Sequence, residues 1–166
     1  KLLDDMLREV VAAHGVPKEK VVLGGLSNGG MVALNYAQQA VKEKGSTFLK
    51  PCGIFGLDVP LDKAHFYEYC EREIARNFSV VGMNEARWLL DNYKRIYGGS
   101  PAEFPERYRA ASIYSYGTVD GGNAKYLQDM PIRMYTDLDV DWLINQRRRN
   151  LYDWNGTDIV AMINDL

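Results

Sequence analysis

Val21-Val22-Leu23-Gly24-Gly25-Leu26-Ser27-Asn28-Gly29-Gly30-Met31 is the stretch on which the reading of the whole chain turns. Val21-Val22-Leu23 is a short β-branched, apolar run after a charged turn, and it reads as a buried strand that Gly24 and Gly25 end. From Asn28 onward Met31, Leu34 and Val41 recur at helical spacing. Lys42, Glu43 and Lys44 fall in the last turn and Gly45 closes it, so 28–44 reads as an amphipathic helix. Between strand and helix stands Gly25-Leu26-Ser27-Asn28-Gly29, a G-x-S-x-G pattern in the strand–turn–helix setting that a nucleophile elbow needs. A serine on so sharp a turn takes a strained backbone conformation. Side chains two residues before and after it would collide as the chain doubles back, so Gly25 and Gly29 are expected to be required, with Gly30 letting the helix pack closely. The Ser27 oxygen would lie at the positive end of a helix, and the backbone N–H of Asn28 would point at a developing oxyanion.

Working outward, residues 1–14 place Leu2, Leu3, Met6, Val10, Val11 and Ala13 on one helical stripe that Gly15 and Pro17 stop. Cys52–Leu57 reads as a second buried strand, ending at Asp58 and Pro60, and Ile132–Thr136 as a third, preceded by Pro131. Helical patterns cover 62–77 and 83–97, split by Gly82 and ended by Gly98-Gly99. A Pro- and Tyr-rich stretch then runs to Gly121-Gly122, and 140–150 and 157–166 look helical. Strands alternating with helices predict an α/β protein with a parallel sheet flanked by helices. Residues 1–58 and 129–166 form its core in this reading, and 59–128 a helical cap inserted over the site. Twelve of the 19 aromatic residues fall in that insertion. Most are expected to pack the cap onto the sheet, and a minority to face the cleft above Ser27 and select substrate.

The charge balance excludes other classes. Twenty Lys and Arg against 22 Asp and Glu leave a net charge of −2, without the broad basic field that a nucleic-acid partner requires. No apolar run reaches the roughly 20 residues needed to cross a bilayer, and Asp4, Asp5, Arg8 and Glu9 near the start are unlike a signal peptide. A cytoplasmic location is therefore expected, with no membrane partner. Cys52 and Cys70 read as free thiols, too few for a disulfide framework or a four-ligand zinc site. Asp137-Leu138-Asp139-Val140-Asp141 invites a calcium reading, but Trp142 and Arg148 stand where an EF-hand loop needs Gly and Glu. The triplets Asn77-Phe78-Ser79 and Asn155-Gly156-Thr157 match the glycosylation sequon, and Arg147-Arg148-Arg149 reads as a solvated helix face from which one Arg could pair with the Asp cluster.

With these residues in place, the stretch 21–31 resembles the elbow of the α/β-hydrolase superfamily. Gly122-Asn123-Ala124-Lys125-Tyr126-Leu127, Pro131-Ile132-Arg133-Met134-Tyr135 and Arg147-Arg148-Arg149-Asn150-Leu151-Tyr152-Asp153 look like a bacterial branch of serine hydrolases in it. The resemblance implies a Ser–acid–His triad in that chain order. Ser27 would be the nucleophile, Asn28 an oxyanion-hole donor and Asp139 the acid, just past the third strand. Asp137 and Asp141 are alternates, and Asp58, after the second strand, is a fourth candidate. The implied substrate is a small ester or other acyl compound, with no metal and no organic cofactor. The catalytic His should follow Asp139, yet the chain holds only His14 and His65. Only 26 residues precede Ser27, whereas the family has several strands there. The expectation is an incomplete α/β-hydrolase chain, inactive alone, whose His lies outside it. The alternative is a non-catalytic binding protein that keeps the elbow as scaffold. Oligomeric state is left open.

Overall fold

Three short parallel strands present their C-terminal ends to one side of the molecule, and every candidate site residue gathers there. The structure, a computed structural model, describes residues 2–166; Lys1, which the sequence pattern includes in the first helix, lies outside the described residues. Helix α1 (Leu2–His14) precedes strand β1 (Val22–Leu26), helix α2 (Asn28–Lys42) and strand β2 (Gly53–Leu57). Helices α3 (Lys63–Arg76), α4 (Val80–Tyr97) and α5 (Pro105–Ala111) follow, then strand β3 (Ile132–Tyr135) and helix α6 (Gly156–Asp165). The strands lie in the order β1-β2-β3, with Val22 opposite Gly53 and Ile54 opposite Ile132. The parallel α/β architecture read from the alternation of apolar runs is thus present.

Of three hydrophobic clusters, the smallest joins Leu7, Tyr36 and Leu49, and two larger ones divide the rest of the packing. The first joins Leu34 and Ala37 of α2, Ile54 of β2, Val59 and Leu61 of the following loop, and Ile159 and Met162 of α6. The second lies within the helical region, where Tyr67 and Cys70 of α3 pack on Ala86, Leu90 and Tyr93 of α4 and on Tyr108 of α5. Aromatic edge-to-face contacts build it, among them Tyr67 on Tyr108 at 5.9 Å between ring centroids. Phe66, Tyr67, Tyr69, Tyr93, Tyr97 and Tyr108, six of the twelve aromatics of 59–128, therefore pack that region internally rather than onto the sheet, whereas Tyr114 packs with the sheet cluster and Trp88 is exposed.

Boundaries differ from the sequence pattern for identifiable reasons. Gly82 does not split α3 from α4. Asn77, left-handed at φ 50°, ends α3, and the Ser79 hydroxyl accepts the N–H of Gly82 to start α4. The triplet 77–79 is thus a helix-end-to-helix-start device. Gly82 lies in the first turn of α4 against Glu73, where any Cβ would collide. Within the Pro- and Tyr-rich stretch, Pro105 occupies a first-turn position and starts α5, and 122–127 form a 3₁₀ turn. Residues 142–146 form one π turn rather than a long helix, and Arg148, at φ 52°, keeps that turn from continuing. Cys52 is exposed and Cys70 buried, both as free thiols.

The strands are not buried throughout, as their apolar runs imply, but on one face only. Leu23, Ile54, Ile132 and Met134 meet the core cluster. Val22, Leu26, Phe55, Leu57 and Tyr135 lie in solvent on the opposite face, Leu26 at 66% exposure, and Val22, Phe55, Leu57 and Tyr135 line a shallow groove there of about 690 Å³. A parallel sheet is ordinarily covered on both faces, and an open apolar face of this kind drives association. The chain alone should self-associate at micromolar concentration in sedimentation velocity. Substituting Val22 and Tyr135 together with Lys should raise the concentration at which association sets in by about tenfold, equivalent to about 1.4 kcal/mol.

Candidate active site

Ser27 follows the last residue of β1 and immediately precedes α2. Its N–H donates to the carbonyl of Leu57 on β2 at 2.8 Å, which ties the turn to the sheet, and its own carbonyl accepts from Met31 at 3.1 Å, which begins the helix. Its backbone stands at φ 50° and ψ −118°. That ψ lies far from the left-handed helical well that Asn or Asp can occupy cheaply, so this is a strained position of about 1–3 kcal/mol. Serine is a favoured N-cap because its hydroxyl can accept from the helix's first N–H groups. Here it occupies that place and makes no cap bond. The hydroxyl is left exposed at a helix N-terminus, beside the unpartnered amides of the first turn, Asn28 first among them.

The glycines are explained in part. A Cβ at Gly25 would sit 2.5 Å from the carbonyl carbon of Gly29 and 2.7 Å from the nitrogen of Gly30, so β1 and α2 pass in backbone contact there. A Cβ at Gly30 would lie 2.8 Å from the Gly25 oxygen and nearer still to Val59. At Gly29 it would meet nothing within 4 Å. The close approach thus falls on Gly25 and Gly30, and the expected requirement at Gly29 is not met. The collision partner of position 25 is the helix backbone itself, not the side chain two residues beyond Ser27.

Ser27 opens into a cleft of about 250 Å³ that also reaches Asp58, Asp137 and Asp139. Asp58, at φ 47°, directly follows β2; its N–H donates to the Tyr135 carbonyl at 2.7 Å, and its carboxylate accepts the Thr136 hydroxyl at 3.2 Å. The Asp139 carboxylate accepts the N–H of Trp142 at 2.9 Å and so caps the π turn. Asp141 is outside the lining and is engaged with the Asn145 amide at 2.6 Å. Neither histidine lines the cleft: His14 ends α1, and His65 is buried one layer behind the cleft wall.

Four aromatic rings, of Phe66, Tyr69, Trp142 and Trp154, complete the walls. Phe66 and Tyr69 come from the aromatic-rich insertion, whereas Trp142 and Trp154 come from the segment after β3. Trp154 is fixed by bonds from its ring N–H to the Thr136 hydroxyl at 2.9 Å and the Asp137 carbonyl at 3.1 Å. Asn155 donates to the Asp58 carbonyl at 3.1 Å, which gives the second sequon-like triplet a structural task. Burial pushes the Tyr69 hydroxyl up to about 12, so it remains a proton donor at neutral pH.

An ion-pair network continues the wall, and its Arg149 and Asp153 line the cleft. Arg149 does not pair with the Asp cluster. It holds Glu73 of α3 through two bonds, at 3.0 and 3.1 Å. Arg76 bridges Glu73 and Asp153, and Arg72 reaches Asp153 at 2.7 Å. Burial opposes the Glu73 charge, but the hydrogen bonds and charge of Arg149 outweigh it and hold that carboxyl below its ordinary range. The Arg147–Arg149 run is therefore legible as charge but not as a tie, because its partner is 76 residues away.

Among the described residues no cluster of His, Cys, Asp and Glu has the makings of a metal site, and no helix is long and apolar enough to cross a membrane. No protein-family model, no curated protein and no solved structure matches the chain.

The glycine geometry makes a graded expectation. Gly29→Ala should be neutral or stabilising by up to about 1 kcal/mol, as in any exposed first-turn position. Gly25→Ala and Gly30→Ala should each cost about 1–3 kcal/mol or more through overpacking. Ser27→Gly should raise the melting temperature by relieving the positive-φ strain. Thermal denaturation of the four variants checks the order.

Proposed function

We propose that this chain carries the nucleophile of a serine hydrolase of the α/β-hydrolase type, acting on ester or other acyl substrates. One observation carries the reading: Ser27 is held in a strained, positive-φ turn between a parallel strand and a helix, with its hydroxyl uncommitted and open to a cleft. Such strain is tolerated where it serves function, and a residue merely capping α2 would use its hydroxyl on the helix. The separation of Gly25 and Gly30, rather than Gly29, as the forced positions fits an elbow whose sharpness comes from strand and helix backbones in contact.

The chemistry rests on that geometry. Ser27 Oγ attacks the substrate carbonyl as a base removes its proton, and the oxyanion forms at the α2 N-terminus, where the Asn28 N–H and the helix dipole stabilise it. Collapse expels the alcohol or amine, which takes the proton back, and water then releases the acid by the same steps in reverse. The base is a histidine, a role that neither His14 nor His65 fills in this arrangement. Asp139 is assigned to orient it, being past the end of β3 and in the cleft, with Asp137 and Asp58 as neighbours able to replace it. Asp141 is set aside because it does not line the cleft. Phe66, Tyr69, Trp142 and Trp154 supply the apolar wall against which an acyl or alcohol group would rest.

A fluorophosphonate probe should label the protein expressed from its intact gene, and Ser27→Ala should abolish labelling; labelling that survives the substitution removes the assignment. Asp139→Asn should lower ester turnover by about 10⁴-fold, the order seen for this change in a serine protease, with the fold intact by circular dichroism. If Asp58→Asn does so instead, the acid follows β2.

A further inference from the structure

Two buried side-chain nitrogens have no hydrogen-bond partner in the protein, and among the described residues they are the only two: Nε2 of His65 and Nη2 of Arg72. Unpaired polar atoms are rare in a folded interior, and each calls for an explanation. Both residues belong to α3, seven positions apart and so on one face of it. The arginine leans back toward the start of the helix, where its Nη1 reaches Glu68 at 3.5 Å. One ring covers both groups. The Tyr152 ring lies 4.3 Å from the imidazole between centroids and 5.3 Å from the guanidinium carbon of Arg72.

The imidazole is fixed from its other side. Its Nδ1 lies 2.6 Å from Oδ1 of Asp158, in the first turn of α6, and both residues are nine-tenths or more buried. The second oxygen of Asp158 accepts the N–H groups of Leu61 at 3.2 Å and Asp62 at 3.1 Å. An ionised carboxylate only accepts, so Nδ1 carries the proton and the neutral ring presents a lone pair at Nε2. Nη2 of Arg72 can only donate. The two unpaired atoms are therefore of opposite kind.

A void of about 10 Å³ lies between α3 and the segment before α6, with His65, Tyr152, Asp153 and Asp158 among its walls. That is about the room one water molecule needs. Arg72 stands next to it, since its Nε holds the Asp153 carboxylate at 2.7 Å. We propose that this void is a binding site for one ordered water, hydrogen-bonded to Nε2 of His65 and accepting from Nη2 of Arg72. The water donates one hydrogen to the lone pair of the neutral ring. Its other hydrogen is left for the Asp153 carboxylate, so it joins α3 to the segment before α6. Were the ring protonated, the water would accept from it instead, so the site holds in either form. An ion fits less well, because Asp153 and Asp158 repel an anion and Arg72 repels a cation. Phe66, Tyr69 and Trp154 border both this void and the Ser27 cleft. The water thus stands directly behind the cleft wall, and that wall rests on a wet seam.

A crystal structure of the full chain, at a resolution that shows ordered water, tests the site. Density for one water should stand at about 2.7–3.2 Å from both Nε2 of His65 and Nη2 of Arg72. In Arg72→Met, which keeps most of the stem and removes the donor, that water should be lost while the contact between His65 and Asp158 persists. A dry void, an ion in its place, or a direct bond from Nε2 to a protein atom overturns the proposal, as does a water that remains in Arg72→Met. The wild-type map alone decides whether the water is there, even if Arg72→Met fails to fold.

Discussion

The contact between Gly25 and Gly30 is the constraint on which the rest of the molecule depends. Backbone touches backbone where β1 passes α2, so the chain must reverse within the residues between, and Ser27 absorbs the reversal in a φ that L-residues avoid. Val59 wedges against Gly30 and Gly56 from the loop after β2, so the same close approach fixes where that loop leaves the sheet. Because the three strands are parallel, their C-terminal ends share one side. Ser27, Asp58 and the 137–139 segment, each just past a strand, are neighbours for that reason alone. Open parallel sheets place ligands at this edge, and here sterics of small residues, not attraction between polar ones, bring Ser27 to it.

A different physics holds the helical region over that edge. The cluster built on Tyr67, Tyr93 and Tyr108 is separate from the cluster that packs on the sheet. Apolar ties cross the boundary, since Leu61, Ile113, Tyr114, Ala124 and Leu127 of that region belong to the sheet cluster, and polar ties add to them: His65 with Asp158, Arg149 with Glu73, and Arg72 and Arg76 with Asp153. Removing water from such pairs costs about as much as their attraction returns, so they contribute little net stability; they do penalise every alternative docking that would leave one charge buried alone. Their role is to fix the register of α3 against the segment 149–158, and Phe66 and Tyr69 take their positions in the cleft from that register.

How much is legible in the sequence depends on range. The elbow, the three strands and most helices are readable because their determinants are local: β-branched runs, helical spacing, and Gly or Pro at the ends. Gly29 reads as required because the pattern carries two glycines, yet the steric demand falls on Gly25 and Gly30, a distinction that only the strand-to-helix distance makes. Gly82 looks like a breaker because its role, making room for Glu73, belongs to another helix. The one-sided burial of the strands is unreadable because an apolar run is the same whether one face or both are covered. Trp142, Trp154 and the His65–Asp158 pair lack a local signature altogether. The partners of Trp154 and His65 are supplied across 17 to 93 residues by the fold.

These two regimes meet at the cleft and give it unequal walls. The floor, Ser27 with the α2 N-terminus, is set by hard-core contact, and no change of pH or salt displaces it while the sheet persists. The roof hangs on carboxylates, guanidinium groups and one imidazole, whose interactions depend on protonation and, where water reaches them, on ionic strength. A cleft so built keeps the Ser27 hydroxyl fixed while the space above it remains adjustable. Substitutions in the floor should therefore act on the folded state as a whole. Those in the polar roof should act first on which groups can approach Ser27, because Phe66 and Tyr69 of α3 form part of the cleft wall.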